Sequence, residues 1–154
     1  MFAQYQSLLA SVINAAVETF IVIIVFFGRI FPLRDKKYMN VAQVLSLFIA
    51  FVLRVSLYFL GNEIIINITF SFVIFFIVLL FLYEGALIDK GLANVAVIII
   101  ILTIEVLINF FQTLFNMNPL YMTDFSYYLI YIVTTRTILF WLCLIAANVV
   151  TKKY

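Results

Sequence analysis

Long apolar runs separated by short polar segments make up almost the whole chain. A helix needs about 20 predominantly apolar residues to cross the hydrocarbon core of a bilayer, and these runs are apolar on consecutive positions. The pattern therefore predicts an all-α, polytopic membrane helix bundle, a single transmembrane domain over residues 1–154. Its five transmembrane helices are predicted near Ser7–Gly28, Asn40–Gly61, Ile64–Tyr83, Leu92–Phe115 and Ser126–Val150.

Glycine and proline positions agree with these five helices. All four glycines fall at or just beyond the predicted helix ends, and both prolines fall in predicted loops, where they interrupt no helix. A membrane β-barrel would instead show strands of about 10 residues with alternating apolar and polar side chains. The sequence therefore favours helices over strands.

Composition narrows the range of functions. The chain is 68% hydrophobic and 10% charged, so its function is expected in or beside the membrane. It has no histidine and one cysteine, Cys143, which excludes an internal disulfide, Cys/His metal sites and histidine-dependent catalysis. No catalytic constellation stands out. We therefore expect no enzyme activity, metal, cofactor or nucleic-acid partner for this chain.

Basic residues predict the orientation. Seven of the nine Lys and Arg residues lie in the loop "RIFPLRDKKYMN", the turn "YEGALIDKG" and the tail "TKKY", while the segments at the opposite side have none. Short cytoplasmic loops carry an excess of Lys and Arg. The N-terminus is therefore expected outside and the C-terminus in the cytoplasm, in a multi-pass membrane protein.

Four charged residues interrupt the apolar runs: Glu18, Arg54, Glu105 and Arg136. An unpaired Asp, Lys or Arg at the centre of a membrane helix costs about 2.5–3.5 kcal/mol on insertion scales, so such residues usually pair or face a wet cavity. With a rise of about 1.5 Å per residue, their depths allow contact. We predict that Glu105 pairs with Arg136, and Glu18 with Arg54 or Arg136.

Amide side chains lie close to two of these charged residues along the same helix faces. Asn14 lies one turn before Glu18, and Asn109 and Gln112 follow Glu105 along its helix face. The stretches "FIVIIVFF" and "NVAVIIIIL", nearer the basic loops, are almost entirely apolar. Three roles fit such a polar cluster in the outer half: adhesion between helices, a pocket that senses a ligand or signal, and an ion or proton pathway. The candidate residues are Asn14, Glu18, Arg54, Glu105, Asn109, Gln112 and Arg136.

Two stretches resemble a known family. The first helix "NAAVETFIVIIVFF" with the basic loop "RIFPLRDKKYM", and the later segment "FVIFFIVLLFLYEGALIDKGLANVAVIIIILTIEVLINFF", resemble the transmembrane sensor region of accessory-gene-regulator-type, GHKL-class, peptide-sensing histidine kinases. Asn14 and Glu18 match the family's first-helix pattern best. The resemblance implies a multi-pass protein of a bacterial plasma membrane, with an extracellular peptide ligand and a homodimer that signals to a cytoplasmic kinase domain. We expect such a peptide to insert between the outer helix ends, near the loop Asn116–Phe125.

This chain departs from the family in lacking a phosphate-accepting histidine and an ATP-binding domain. It is therefore expected to be a sensor module without kinase activity, either part of a longer protein or a stand-alone relative. Two alternatives use the same intramembrane charges. One is a transporter or permease component, and the other is a structural membrane subunit.

Overall fold

The computed structural model describes residues 2–35, 37–60, 64–114 and 125–153. It confirms the all-α fold, with five helices long and apolar enough to cross a membrane. The first span is continuous but not uniform, because a π-helical segment separates two α-helical parts. The elements are α1 (Phe2–Phe20), the π segment (Ile21–Phe27), α2 (Gly28–Ile30), α3 (Met39–Leu60), α4 (Ile64–Leu82), α5 (Leu87–Leu114) and α6 (Phe125–Lys153).

The five spans form a closed ring in chain order. Helix α1 contacts α3, α3 contacts α4, α4 contacts α5, α5 contacts α6, and α6 contacts α1. Successive spans run in opposite directions, as short connections require. The basic end of the bundle is the end at which α2, α4 and α6 finish and α3 and α5 begin. The far end is the opposite one.

The first span has different neighbours at the two ends of the bundle. Near the far end, α1 packs between α3 and α6, whereas the π segment contacts α4, α5 and α6 in the basic half. Most of the π segment is buried in a core with residues of the other helices. The fully buried apolar side chains of this layer include Val22, Ile23, Phe27, Phe75, Leu79, Val97 and Leu139.

A buried tyrosine holds the π segment. The hydroxyl of Tyr83 donates a hydrogen bond of 2.6 Å to the carbonyl of Ile23 and accepts one of 3.0 Å from Gln43. A phenol hydroxyl can donate one hydrogen bond and accept another, so Tyr83 satisfies a backbone carbonyl inside the irregular helix while it is itself held by Gln43.

Arg34 and Lys90 cap the C-terminal end of α4 at the basic end of the bundle. The backbone N–H of Arg34 donates to the carbonyl of Leu82 (3.0 Å), and its guanidinium donates to Leu80 (2.8 Å). The ammonium of Lys90 donates to the carbonyl of Tyr83 at 2.7 Å. These bonds satisfy carbonyls that a helix C-terminus leaves without intrahelical partners. The α2–α3 loop and the start of α5 are thereby attached to the same helix end.

Several helices extend past their predicted ends, most of all at the starts of α1 and α5. Helix α5 begins at Leu87, earlier than predicted, so Gly91 lies inside the helix rather than before it. Asp89 in its first turn interacts favourably with the positive helix N-terminus, which explains why this polar turn is helical. The first span likewise continues past Gly28 to Ile30. Among the glycines that the structure describes, Gly85 alone lies in a connection between helices, and its φ of 135° is one that other residues rarely adopt.

Candidate functional site: a charged cavity in the far half

The centre of the site is one carboxylate held between two arginines. Glu18, on the last turn of α1, forms ion pairs with Arg54 of α3 and Arg136 of α6, each using a different carboxylate oxygen. The Glu18 side chain is 4% exposed and that of Arg136 is 6% exposed. Each of these charges is therefore compensated where water cannot easily reach it. Glu18 has both of its alternative predicted partners at once.

Neutral groups complete the coordination of both arginines. Arg54 also donates to the hydroxyl of Thr19 at 3.3 Å, and its guanidinium lies 5.3 Å from the centre of the Phe75 ring. Arg136 donates through Nε to the side-chain oxygen of Asn14. Asn14 thus supports Glu18 through Arg136, from one turn away on the same helix.

Glu105 is the loosest member of the cluster. One of its carboxylate oxygens lies 3.8 Å from Nη2 of Arg136, which is the predicted pair but is beyond hydrogen-bond distance. Its side chain is 42% exposed, in contrast to Glu18. The four charges predicted to pair therefore do lie together, but the two carboxylates differ in how tightly they are held.

A cavity of about 250 Å³ lies beside this cluster, among α1, α3, α4 and α5. It occupies the far half of the bundle, where α1 packs mainly against α3 and α6 and leaves space beside α4 and α5. Two of its apolar lining residues, Ile98 and Ile101, also belong to or pack against the buried apolar core. Polar side chains line one part of it and apolar side chains the remainder. The polar lining consists of Ser11, Asn14, Glu18, Arg54, Asn67, Ser71 and Glu105.

One of the predicted site residues stands apart from this arrangement. Asn109 is exposed and does not line the cavity. Each step of four residues turns a helix position about 40° further round the axis, so Asn109 lies farther from the interior than Glu105, which is already at its edge. The side chain of Gln112 lies outside the described residues. The same holds for residues 116–124 of the loop Asn116–Phe125, which is predicted to contact a ligand.

Sequence reasoning missed four polar residues of the site. Ser11 lines the cavity from α1, Asn67 and Ser71 line it from α4, and Thr19 accepts a hydrogen bond from Arg54. Asn67 and Ser71 are four residues apart, the same spacing as Asn14 and Glu18, and this spacing in an otherwise apolar helix was the available signal.

Comparison with protein-family models, curated proteins and solved structures finds no match to this chain.

The geometry of the cavity indicates its chemistry. It combines a membrane-embedded charge cluster with space for a small group and a partly exposed carboxylate at its wall. The described residues contain no cluster of His, Cys, Asp and Glu that could hold a metal ion. The side chains present offer ionic contacts, hydrogen bonds and apolar contact to a ligand.

Proposed function

We propose that this chain is the receptor module of a membrane sensor, located in a bacterial plasma membrane, with the far end outside. The charged cavity of the far half supports this proposal above all, because helix adhesion alone needs ion pairs but no accessible space beside them. We propose an extracellular peptide as the ligand and a homodimer as the signalling form, as in the peptide-sensing histidine kinases that the sequence resembles.

A path of contacts supports transmission from the cavity to the basic end. Glu18 faces the cavity and precedes the π segment by only three residues. The π segment is bonded through Ile23 to Tyr83, where α4 meets the turn to α5. A ligand that favours one arrangement of the Glu18 cluster would therefore shift the first span relative to that turn.

A transport function has less support from the same geometry. A transported solute would have to cross from the cavity to the basic end through the layer that contains Ile23, Phe27 and Phe75, all fully buried. Sensing requires only that the position of this layer depends on the occupancy of the cavity. Charge-dependent flux in liposomes would favour transport instead.

Adjacent alanines allow a test without the natural ligand. Ala15 lines the cavity, whereas Ala16 is exposed on the surface of the same helix. Ala15→Phe should fill much of the cavity and mimic occupancy, and Ala16→Phe is the matched control. The chain would be fused after Tyr154 to the dimerisation and ATPase domains of a histidine kinase, and autophosphorylation measured in proteoliposomes.

We expect Ala15→Phe to change the autophosphorylation rate several-fold, while Ala16→Phe matches the unaltered chain. Thermal unfolding of each variant shows whether it folds. A folded Ala15→Phe variant with the same rate as Ala16→Phe would contradict the sensor proposal and leave a structural role.

A further inference from the structure

The charged groups on the cavity wall are mainly acidic. Glu18 and Glu105 line it, against a single cation, Arg54. Arg136 is absent from the lining and contacts the far oxygen of the Glu18 carboxylate from α6. An entering group therefore meets two carboxylates and one guanidinium among the described residues.

The guanidinium groups are already engaged. Arg54 directs its two terminal nitrogens to Glu18 and Thr19, and the ring of Phe75 lies alongside its guanidinium. Arg136 is bonded to Asn14 and Glu18. An anionic ligand would have to displace these contacts, several of which are charge-assisted and therefore strong.

Glu105, in contrast, has capacity to spare. No hydrogen bond from a described residue reaches its carboxylate, and its contact with Arg136 is 3.8 Å long. An ionised carboxylate accepts hydrogen bonds only, at about four lone-pair sites. With 42% of its side chain exposed, this carboxylate is open to a donor that enters the cavity.

The remaining lining suits a short apolar stem that ends in a donor. The side-chain oxygens of Asn67, Ser11 and Ser71 are further acceptors, while Val12 and Ile98 are among the apolar residues of the wall. A volume of about 250 Å³ is below the roughly 300–1,000 Å³ of pockets that enclose a drug-sized ligand. The cavity therefore has room for one end of a ligand, such as a single side chain.

We propose that this cavity binds a cationic group, a primary ammonium or guanidinium on a short aliphatic stem, with Glu105 as its counter-ion. In a peptide this group would be a Lys or Arg side chain or the N-terminal amine. The inference rests on the proposed function only in taking the cavity as the ligand site, and it adds the charge of the ligand.

The test measures binding of n-butylammonium, n-butyrate and n-butanol to the purified chain in lipid nanodiscs. The variants are Glu105→Gln, Glu105→Asp and, as a control, Asp35→Asn, which removes an exposed carboxylate at the basic end. Isothermal titration would give each Kd, and thermal unfolding would show that the variants fold.

Butylammonium should bind the unaltered chain and Asp35→Asn more tightly than butyrate or butanol does. Glu105→Gln should weaken it by about tenfold or more, the factor expected when a charge-assisted hydrogen bond is lost. Glu105→Asp, which keeps the charge, should retain the preference for the ammonium over the carboxylate.

Tighter binding of butyrate, equal binding by Glu105→Gln, or no binding of any probe would overturn the inference. These results are separable from those of the kinase fusion. Glu105-dependent ammonium binding with an unresponsive fusion would refute the sensor alone, whereas a responsive fusion that prefers butyrate would refute the cationic ligand alone.

Discussion

Glu18 and Glu105 are both carboxylates within membrane-spanning helices, but their surroundings differ. Glu18 is buried and compensated by two arginines, so it acts as the centre that joins α1, α3 and α6. Glu105 makes one long contact and is partly exposed on α5. The first carboxylate joins three helices through ion pairs, and the second carries the binding role that we propose for the cavity.

This difference predicts unequal effects on stability. Glu18→Gln leaves two buried guanidinium groups without their counter-ion and should destabilise the protein by about 3–5 kcal/mol, as for other broken buried pairs. Glu105→Gln removes only a long, partly exposed pair, for which about 0–1 kcal/mol is expected. Reversible unfolding of both variants in the same detergent would measure the difference.

Asp35→Asn serves as a control for loss of an exposed carboxylate. Equal destabilisation by Glu18→Gln and Glu105→Gln would show that the two carboxylates are equally important to the bundle. It would then remove the distinction on which the assignment of Glu105 to binding depends.

At the scale of the elements, the first span differs most from a regular helix. Its π segment changes the direction in which successive side chains point, so that α1 faces the cavity while the following turns enter the core. The hydrogen bond between Tyr83 and Ile23 satisfies one of its carbonyls. Such segments often occur at functional sites, in agreement with its place directly below Glu18.

Two glycines at the start of α5 should respond oppositely to the same substitution. A Cβ on Gly85 would lie 3.0 Å from the Phe31 ring, at a φ of 135°. Gly85→Ala should therefore destabilise the protein by about 1–3 kcal/mol. Gly91 lies within α5 with nothing within 4 Å of a Cβ, so Gly91→Ala should stabilise it by about 0.5–1 kcal/mol.

Unfolding free energies of the two alanine variants would check this prediction, with the unaltered chain as reference. Destabilisation by Gly91→Ala would contradict the start of α5 at Leu87, since alanine strengthens a helix interior. An unaffected Gly85→Ala variant would contradict the tight turn against Phe31.

At the scale of the whole molecule, the alternating directions of the spans bring Arg34, Lys37, Lys90 and Lys152 to the same end of the bundle. The proposed orientation puts that end in the cytoplasm. Asp35→Cys and Lys152→Cys, each exposed at the basic end, should both be labelled by an impermeant maleimide in inside-out vesicles and neither in intact cells. The buried native Cys143 can be replaced by Ala to remove the background.

Labelling of these cysteines in intact cells would reverse the orientation, and the cavity would then face the cytoplasm. If the maleimide labelled one cysteine in intact cells and the other only in inside-out vesicles, the two positions would lie on opposite sides of the membrane. That result would contradict the four spans between them. Either result would require a new proposal for the source of the ligand.

The all-α fold, the five spans and the residues that had to form ion pairs could all be predicted from the amino-acid sequence. These follow from the length of each apolar run and from the cost of an unpaired charge in hydrocarbon, both of which are properties of single segments. The pairs of Glu18 and Glu105 could be predicted because few opposite charges were available inside the spans.

Three features needed the packed helices to be seen: Glu18 binds both arginines, Asn67 and Ser71 line a cavity, and Asn109 does not line it. These depend on the rotation of each helix against its neighbours. Where nearly every face of a helix is apolar, as in α4, periodicity specifies no such rotation. The π segment and the packing around it set the direction of the first span, and thereby decided which polar side chains meet.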